Sequence, residues 1–138
     1  MSEISFEDRT VIVTGAGNGL GKAYAIELGN RGAKVVVNDL GGAVDGSGSG
    51  NTPADEVVNE IISNGGEAVA NYDSVATKDG GESIVQSAID NFGTVDAVIN
   101  NAGILRDKSF AKLSEEELSL VIDVHLKGTF FVSQPAFK

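Results

Sequence analysis

The sequence contains no cysteine, so disulfide bonds, thiolate zinc sites and cysteine nucleophiles are excluded together. Basic residues are scarce as well: 10 Lys and Arg stand against 20 Asp and Glu, which gives a formal net charge of −10. Affinity for nucleic acids depends mainly on neutralising phosphates with Lys and Arg. We therefore expect no metal site and neither DNA nor RNA as a partner.

Long hydrophobic runs are also missing. No stretch reaches the ~18 consecutive apolar residues of a membrane-spanning helix. The polar first residues, MSEISFEDR, lack the hydrophobic segment of a secretory signal. The chain has 138 residues, of which 41% are hydrophobic, as is typical of one globular domain. We therefore expect a soluble intracellular domain without a membrane partner.

Short runs of β-branched residues alternate with segments of helical periodicity. Four runs predict strands, at residues 10–14, 33–39, 67–73 and 95–100. Three helices between them are predicted from apolar stripes that would be buried against a sheet: Leu20, Ala23, Tyr24 and Leu28; Val57, Val58, Ile61 and Ile62; and Ile84, Val85, Ala88, Ile89 and Phe92. The alternation predicts an α/β fold, a Rossmann-like, doubly wound parallel sheet of which the chain supplies the first four βα units.

A fourth helix is predicted from Ser114, which has capping-box spacing to Glu117. Its apolar stripe runs through Leu118, Val121, Ile122 and His125. His125 is the only histidine, and its place in this stripe predicts a buried, hydrogen-bonded imidazole.

Residues 41–53, GGAVDGSGSGNTP, interrupt the alternation because they are too rich in Gly and Ser for a packed element. They predict a flexible surface loop. A segment that covers a bound ligand is the alternative, since it follows the carboxyl end of a strand, where doubly wound folds bind ligands.

Aromatic residues are concentrated at the end of the sequence. Three of the six phenylalanines lie within the last nine residues: Phe130, Phe131 and Phe137. Exposing each side chain forfeits about 1.5–3 kcal/mol of burial. We expect further strands of the intact fold, its next helix or a partner subunit to cover them.

The segment TGAGNGLG, residues 14–21, lies between the first predicted strand and the first predicted helix. Glycines there let the backbone approach a pyrophosphate, which the N–H groups and positive dipole end of the helix attract. Asp39 ends the second strand, where a carboxylate can accept hydrogen bonds from ribose hydroxyls. Without a ligand, the glycines would serve helix packing and Asp39 would begin a turn. No Arg or Lys lies in the turn or just after Asp39 to bind a 2′-phosphate, which favours NAD over NADP.

Several segments resemble the short-chain dehydrogenase/reductase family. TGAGNGLG resembles its Thr-Gly-x-x-x-Gly-x-Gly turn, and NNAG at 100–103 resembles its second signature. VVVNDLGG, GGEAVANYDSV, NNAGILRDKSF and VHLKGTFF resemble the (3R)-hydroxyacyl-CoA dehydrogenase branch, found in multifunctional β-oxidation enzymes and in bacterial single-domain relatives. The resemblance covers almost the whole chain.

The resemblance implies an NAD site in four parts. Gly15, Asn18, Gly19, Leu20 and Gly21 would wrap the pyrophosphate, Asp39 would hold the adenosine ribose, Asp73, Ser74 and Val75 would line the adenine, and Asn101, Ala102 and Gly103 would pass the nicotinamide-side ribose. At the position of His125 the family usually has an Asn that helps to hold a proton-relay water, whereas this branch resembles the chain in having His. The resemblance thus implies at most an auxiliary catalytic role for His125.

The resemblance also implies hydride transfer between NAD and the 3-hydroxyl of a (3R)-hydroxyacyl-CoA. In the family a Tyr takes the hydroxyl proton, helped by a Lys four residues later and by a Ser. The only tyrosines are Tyr24 and Tyr72, which are followed four residues later by Leu28 and Ala76. We therefore expect residues 1–138 to be the N-terminal portion of an NAD(P)-binding Rossmann domain, without the catalytic C-terminal portion and with weak or no turnover alone.

Other functions stay open at this point. One is a dinucleotide-binding fragment without catalysis, and another is a short-chain dehydrogenase for a different secondary alcohol or a steroid. A third is a protein-interaction fragment that docks through its aromatic C-terminal segment. The resemblance further implies an acyl-CoA or another small alcohol or ketone as substrate, a homodimer or higher homo-oligomer in the intact form, and a cytoplasmic location in bacteria or a peroxisomal one in eukaryotes.

Overall fold

The computed structural model describes residues 4–42 and 52–138. The strands in these ranges are β1 (Thr10–Thr14), β2 (Lys34–Asn38), β3 (Glu67–Asn71) and β4 (Ala97–Ile99). The α-helices are α1 (Gly19–Asn30), α2 (Pro53–Ser63), α3 (Lys78–Phe92), α4 (Glu115–Ile122) and α5 (Gly128–Phe137). Short 3₁₀ turns cover Leu40–Gly42 and Phe110–Lys112, and a π-helical turn, Asp123–Lys127, joins α4 to α5.

The four strands form one parallel sheet in the order β3-β2-β1-β4. β1 lies inside the sheet, with Ile12 opposite Val36 of β2 on one side and Val98 of β4 on the other. The chain moves outward from β1 to β3 and then crosses back to β4, which confirms the predicted doubly wound α/β sheet. All four carboxyl ends meet at one edge, and the strand order reverses between β1 and β4.

Two apolar layers cover the faces of the sheet, because successive side chains of a strand point to opposite sides. On one face, valines of β1 and β2 such as Val11 and Val35 pack with Ile61 of α2. On the other face, Ile12 packs with Ile84 of α3 and Val132 of α5. Helices therefore lie on both faces, as expected for the predicted doubly wound sheet.

Three strands are shorter than predicted. β2 spans Lys34–Asn38 rather than 33–39, and β4 spans Ala97–Ile99 rather than 95–100. β3 ends at Asn71, two residues before the predicted end, and the Asp73 N–H donates to the Asn71 side-chain oxygen at 3.0 Å. This local hydrogen bond turns the chain away from the sheet.

The buried face of α1 differs from the predicted stripe. Leu20 and Tyr24 are 68% and 42% exposed. The buried residues of the helix are small: Gly21, Ala25 and Gly29. A Cβ atom at Gly29 would lie 2.7 Å from Cγ2 of Ile61, so the small residues let α1 approach α2 closely. The prediction was wrong here because it followed the large apolar side chains.

The stripes of α2 and α3 agree with prediction except at one position each. Buried positions include Val57, Ile61, Ile84, Val85 and Ala88. The two exceptions, Ile62 and Ile89, are 52% and 42% exposed. They lie at the borders of their stripes, where the helix surface turns toward solvent.

Helix α4 begins as predicted, because the Ser114 hydroxyl accepts the Glu117 N–H in a capping box. Its predicted buried stripe is wrong. No residue of α4 is buried, and Leu118 and Ile122 are 47% and 39% exposed. The helical path then continues through the π-helical turn into α5, where Gly128 and Val132 are buried. This continuation was not predicted from the sequence.

The C-terminal phenylalanines divide into two groups. Phe131 is half-buried, and a Cβ atom at Gly81 of α3 would lie 2.3 Å from its carbonyl oxygen, so α5 packs tightly on α3. Phe130 and Phe137 are 56% and 95% exposed. What covers these two side chains stays a prediction.

The predicted loop at 41–53 falls mostly outside the described residues, which omit 43–51. Its two ends belong to regular elements, contrary to the prediction from composition. Gly41 and Gly42 complete a 3₁₀ turn, and Thr52 caps α2, which begins at Pro53. Across the described parts of the chain, none of the helices combines the length and apolar character that a membrane crossing requires.

Candidate functional site

A cavity of about 210 Å³ lies at the edge where the four strands end. Its walls come from the segments that follow β1, β2, β3 and β4 and from the π-helical turn. The lining residues are Gly15, Asn38, Asp39, Leu40, Asp73, Ser74, Val75, Ala102, Gly103, Ile104 and Val124. Asp39 and Asp73 bring two carboxylates to it, and none of these residues carries a positive charge. The two carboxylates are therefore suited to accept hydrogen bonds from a ligand rather than to bind a negatively charged group.

The glycine turn forms the floor of the site between β1 and α1. Gly15 and Gly19 have φ values of +62° and +56°, which side chains rarely adopt. A Cβ atom at Gly21 would lie 2.3 Å from the Gly15 carbonyl oxygen and 2.5 Å from Nδ2 of Asn101. The turn therefore needs glycine both for its conformation and for close packing.

The start of α1 has no side-chain cap. Asn18 occupies the N-cap position in an extended conformation, but its side chain accepts no hydrogen bond from the helix. The first turn also contains no acidic residue. In contrast, α2, α3 and α4 are capped by Thr52, Thr77 and Ser114. The first N–H groups of α1 thus lack the partner that capping supplies to the other helices.

The segment after β4 is attached to the glycine turn by hydrogen bonds. The Asn101 side-chain amide donates to the carbonyl oxygens of Thr14 and Gly15 at 3.1 and 3.0 Å. The Thr14 hydroxyl accepts the N–H groups of Asn101 and Ala102, both at 3.1 Å. These contacts fix the position of Ala102 and Gly103 in the cavity wall.

Asp39 connects the end of β2 to the glycine turn. Its Oδ2 accepts the Gly17 N–H at 2.9 Å, and its Oδ1 accepts the Gly41 N–H at 2.9 Å. A Cβ atom at Gly17 would lie 2.7 Å from both Asp39 Oδ2 and Cβ of Pro53. The carboxylate and the start of α2 therefore lie directly against the turn, and each carboxylate oxygen keeps acceptor capacity for a further donor.

A pair of hydroxyls surrounds Asp55 in the first turn of α2. The Thr52 hydroxyl donates to Asp55 Oδ2 at 2.7 Å, and the Tyr72 hydroxyl donates to Oδ1. The Tyr72 hydrogen bond, followed by that of Thr52, lowers the pKa of Asp55. The same carboxylate raises the pKa of Tyr72. The cluster ties the residue after β3 to the helix that borders the glycine turn.

Two other carboxylates with shifted pKa values lie outside the cavity wall. The Thr10 N–H and then Arg9 lower the pKa of Asp96, which joins the starts of β1 and β4. Lys108 lowers the pKa of Glu117, the capping-box residue of α4. Both shifts reflect structural contacts and add no acid or base to the site.

His125 lies in the π-helical turn and is exposed, so the prediction of a buried imidazole was wrong. Its Nε2 lies 3.0 Å from the Ile104 nitrogen and 2.9 Å from the Ile104 oxygen, so the ring is hydrogen-bonded as predicted. A Cβ atom at Gly103 would lie 2.7 Å from Cε1 of His125. The imidazole supports the backbone of Gly103 and Ile104, which form part of the cavity wall, but does not itself line the cavity.

The structure brings most of the predicted site residues to one place. The cavity wall includes Gly15, Asp39, Asp73, Ser74, Val75, Ala102 and Gly103. Asn101 and Gly21 lie behind the wall in contact with Gly15, while Asn18, Gly19 and Leu20 form the exposed start of α1. Four lining residues were not predicted: Asn38, Leu40, Ile104 and Val124. Asn38 and Leu40 flank Asp39, and Ile104 follows Gly103, so these three could have been predicted from their position next to the motifs. No feature of the sequence indicated Val124.

The comparisons with known proteins agree with this architecture. The model of the short-chain dehydrogenase family matches residues 9–138. The chain is 58% identical over 134 residues to the peroxisomal hydratase-dehydrogenase-epimerase of Saccharomyces cerevisiae, covering 97% of this chain and 15% of that protein. It is 53% identical over 136 residues to mouse peroxisomal multifunctional enzyme type 2, covering 99% of this chain and 18% of the relative.

A solved structure extends the agreement to the fold. The crystal structure of a short chain dehydrogenase from Mycobacterium avium has a TM-score of 0.90 and 50% identity to this chain, and the match covers 94% of this chain and 45% of the other. The chain therefore spans less than half the length of each of these three proteins. The family match, which extends over nearly all 138 residues, shows that the chain belongs to the short-chain dehydrogenase family.

Proposed function

We propose that this chain binds NAD along the carboxyl edge of its sheet and forms the cofactor-binding part of a (3R)-hydroxyacyl-CoA dehydrogenase. One observation carries the proposal: the predicted contact groups follow the strands in spatial order around one cavity. Asp73 follows β3, Asp39 follows β2, Gly15 follows β1, and Ala102 follows β4. Neighbouring strands are about 4.8 Å apart, so the four groups can meet successive parts of one extended ligand.

The glycine turn fits the pyrophosphate. Its backbone can approach a ligand closely because Gly15 and Gly19 carry no side chains. The uncapped N–H groups at the start of α1 are donors, and the positive dipole end of the helix favours an anion. The lack of acidic residues in this first turn leaves that preference unopposed.

Asp39 fits the adenosine ribose and favours NAD over NADP. A carboxylate accepts hydrogen bonds from both ribose hydroxyls, and the oxygens of Asp39 keep capacity beyond the two backbone N–H groups they already accept. A 2′-phosphate would meet this negative charge without a Lys or Arg in the cavity wall to offset it. The expected specificity is therefore for the dinucleotide without that phosphate.

When bound, NAD would supply the acceptor for a hydride. The residues at the β4 end, held by Asn101 and Thr14, would orient its reactive end, and His125 would fix the backbone at Ile104. No base for the substrate hydroxyl is expected from the described residues, because the Tyr72 hydroxyl is bonded to Asp55, away from the cavity wall. We therefore propose that these 138 residues alone give weak or no turnover.

The substrate class rests on the relatives. Two of them are named as a peroxisomal hydratase-dehydrogenase-epimerase and a peroxisomal multifunctional enzyme, and their match spans almost this whole chain. Together with the motifs quoted above, these names favour the 3-hydroxyl of a (3R)-hydroxyacyl-CoA over another secondary alcohol. We further propose that the intact enzyme is a homo-oligomer in which Phe130 and Phe137, both exposed here, are covered.

Calorimetric titration of the purified protein with NAD and NADP tests the cofactor assignment. We expect the wild type to bind NAD more tightly than NADP. Asp39→Ala should weaken NAD binding by at least about tenfold, since hydrogen bonds to a charged group contribute about 1.5–3 kcal/mol each. Asp39→Asn, which keeps one acceptor oxygen but loses the charge, should mainly reduce the preference for NAD over NADP.

Asp90→Ala is the matched control, because Asp90 is an exposed acidic residue of α3 outside the cavity wall and its removal changes the net charge equally. It should leave both affinities unchanged. The proposed cofactor role would be refuted if the wild type bound neither dinucleotide. Sustained NADH formation from (3R)-hydroxyacyl-CoA by the 138-residue chain would instead refute the proposed lack of turnover.

A further inference from the structure

The first turn of α2 lies against both backbone groups that hold the Asp39 side chain. The Asp39 carboxylate accepts the Gly17 N–H on one oxygen and the Gly41 N–H on the other. A Cβ atom at Gly17 would lie 2.7 Å from Cβ of Pro53, and a Cβ atom at Gly41 would lie 3.7 Å from Cγ of the same proline. Pro53, the first residue of α2, therefore limits how far these two donors and the carboxylate between them can move.

The first turn of α2 is itself fixed from the neighbouring strand end. Thr52 and Asp55 form a capping box, in which the Thr52 hydroxyl donates to Asp55 Oδ2 at 2.7 Å. The Tyr72 hydroxyl, on the residue directly after β3, donates to Asp55 Oδ1. This hydrogen bond is the main cause of the lowered pKa of Asp55, so the carboxylate is ionised at neutral pH and accepts both hydroxyls. A capping box alone would fix only the helix, whereas the Tyr72 hydroxyl fixes where the helix starts relative to the sheet.

The backbone of Asp39 is held independently of its side chain. Its N–H donates to the Asn71 carbonyl oxygen at 3.0 Å, directly after the paired part of β2 and β3. A shift at the start of α2 would therefore leave Asp39 at the edge of the cavity and free its carboxylate to rotate. The hydrogen bond between Tyr72 and Asp55 thus bears on the direction of one charge rather than on the presence of the site.

We propose that Tyr72 and Asp55 are positioning residues, which hold the start of α2 so that the Asp39 carboxylate accepts a ribose 2′-hydroxyl and rejects a 2′-phosphate. The inference rests on the proposed function, in which the adenosine ribose lies at Asp39. Neither Tyr72 nor Asp55 lines the cavity, so both act through the first turn of α2.

A purely structural role predicts a different result. Hydrogen bonds that only stabilise α2 would, when lost, lower the free energy of unfolding and weaken the binding of NAD and NADP alike. A positioning role changes the ratio of the two affinities, because a carboxylate that is free to rotate binds the hydroxyl less well and opposes the phosphate less. Its rotation would also release the N–H groups of Gly17 and Gly41 to the phosphate. The ratio is therefore the decisive measurement.

Tyr72→Phe is the decisive variant, because it removes one hydroxyl and leaves every charge of the site in place. Tyr72 is 38% exposed, so the change opens no buried cavity. The dissociation constants of NAD and NADP are measured by calorimetry at constant ionic strength. We expect the wild type to prefer NAD by at least about tenfold and Tyr72→Phe to lower this preference by at least about threefold, which corresponds to the loss of one hydrogen bond.

A double-mutant cycle tests whether Tyr72 and Asp55 act through the same hydrogen bond. Asp55→Ala should also lower the preference for NAD, by at least as much as Tyr72→Phe, because it removes the acceptor and a negative charge together. In the Asp55→Ala background, Tyr72→Phe should have no further effect on the ratio. Independent, additive effects of the two changes would overturn the inference.

Tyr24→Phe is the matched control, because Tyr24 is a tyrosine of α1 that is exposed to a similar extent, 42%. It should keep the wild-type ratio. An unchanged ratio in Tyr72→Phe would overturn the inference and leave the proposed function standing. Equal affinity of the wild type for NAD and NADP, or binding of neither, would overturn the inference together with the proposed cofactor assignment.

Discussion

Replacing Thr14 by valine tests how the glycine turn and the segment after β4 are joined. Thr14 is 1% exposed, and valine has nearly the same shape, so the change removes the hydroxyl without opening a cavity. The hydroxyl accepts the N–H groups of Asn101 and Ala102 at 3.1 Å. Without it, the Ala102 N–H loses its partner, whereas the Asn101 N–H keeps the Ile99 carbonyl oxygen at 3.0 Å.

The expected loss of stability follows from the N–H groups of Asn101 and Ala102. An N–H left without a partner costs about 1–3 kcal/mol, and a weakened hydrogen bond costs about 0.5–1 kcal/mol. We therefore expect Thr14→Val to lower the free energy of unfolding by about 1.5–4 kcal/mol. Because Ala102 lines the cavity, NAD affinity should fall as well.

Urea denaturation followed by circular dichroism measures the first effect, and calorimetric titration with NAD measures the second. Thr14→Ser is the control, because it keeps the hydroxyl and loses only a methyl group, at about 1 kcal/mol. A loss below about 0.5 kcal/mol in Thr14→Val, or an equal loss in both variants, would refute the assignment of this hydroxyl as the joint between the two segments.

Four further outcomes are expected. Gly21→Ala should lower the free energy of unfolding by about 1–3 kcal/mol and weaken NAD binding, since its Cβ atom would lie 2.3 Å from the Gly15 carbonyl oxygen and force the turn to move. Because the pKa of Asp55 is lowered, its contribution to stability is present above the pKa of an unfolded Asp, about 4, and is lost as the pH falls through the folded value. Asp55→Asn should therefore flatten the fall in stability at acid pH, which we call the acid limb. The raised pKa of Tyr72 has the opposite sense, so its contribution is present below about pH 10 and lost above it, and Tyr72→Phe should flatten the alkaline limb. His125→Ala should lower the free energy of unfolding by less than about 1 kcal/mol in urea, because the imidazole is exposed.

A specific result would contradict each of these expected outcomes. Gly29→Ala, which meets the side chain of Ile61 rather than the turn, should destabilise the fold without changing NAD affinity; equal loss of affinity in both glycine variants would show a general unfolding effect. If the acid and alkaline limbs of stability were unchanged in Asp55→Asn and Tyr72→Phe, the hydrogen-bonded pair of Asp55 and Tyr72 would not contribute to the pH dependence of stability. A loss above about 2 kcal/mol for His125→Ala would mean that the histidine is part of the core after all.

The sequence allowed the order of elements and the location of the site to be predicted because both depend on local signals. Runs of β-branched residues marked the strands, and the glycine turn and Asp39 marked the ends of β1 and β2. In a parallel sheet these ends meet at one edge, so motifs far apart in the chain could be assigned to one site without knowing any distance.

Features that depend on which residues face each other were not predictable in this way. The buried face of α1 is made of small residues such as Gly29, whose role depends on Ile61 of a different helix. The contact between Asn38 and Asn71 exists only because β2 and β3 pair in a particular register. The exposed position of His125 follows from the π-helical turn, for which the apolar periodicity offered no sign.

The π-helical turn at Asp123–Lys127 constrains the length of this segment. Residues four apart are rotated by about 40° in an α-helix, so Val124 and Ala136 would point about 120° apart if the helix were regular. Both nevertheless pack against the same apolar layer as Val132, because the wider turn opposes the drift. Deleting one residue between Val124 and Gly128 would leave Val124 and Val132 seven residues apart, which a regular α-helix places within about 20° of each other, whereas inserting one residue would make them nine apart and turn Val132 out of the core. We expect the insertion to lower the melting temperature more than the deletion, so this segment should tolerate the loss of one residue better than the gain of one.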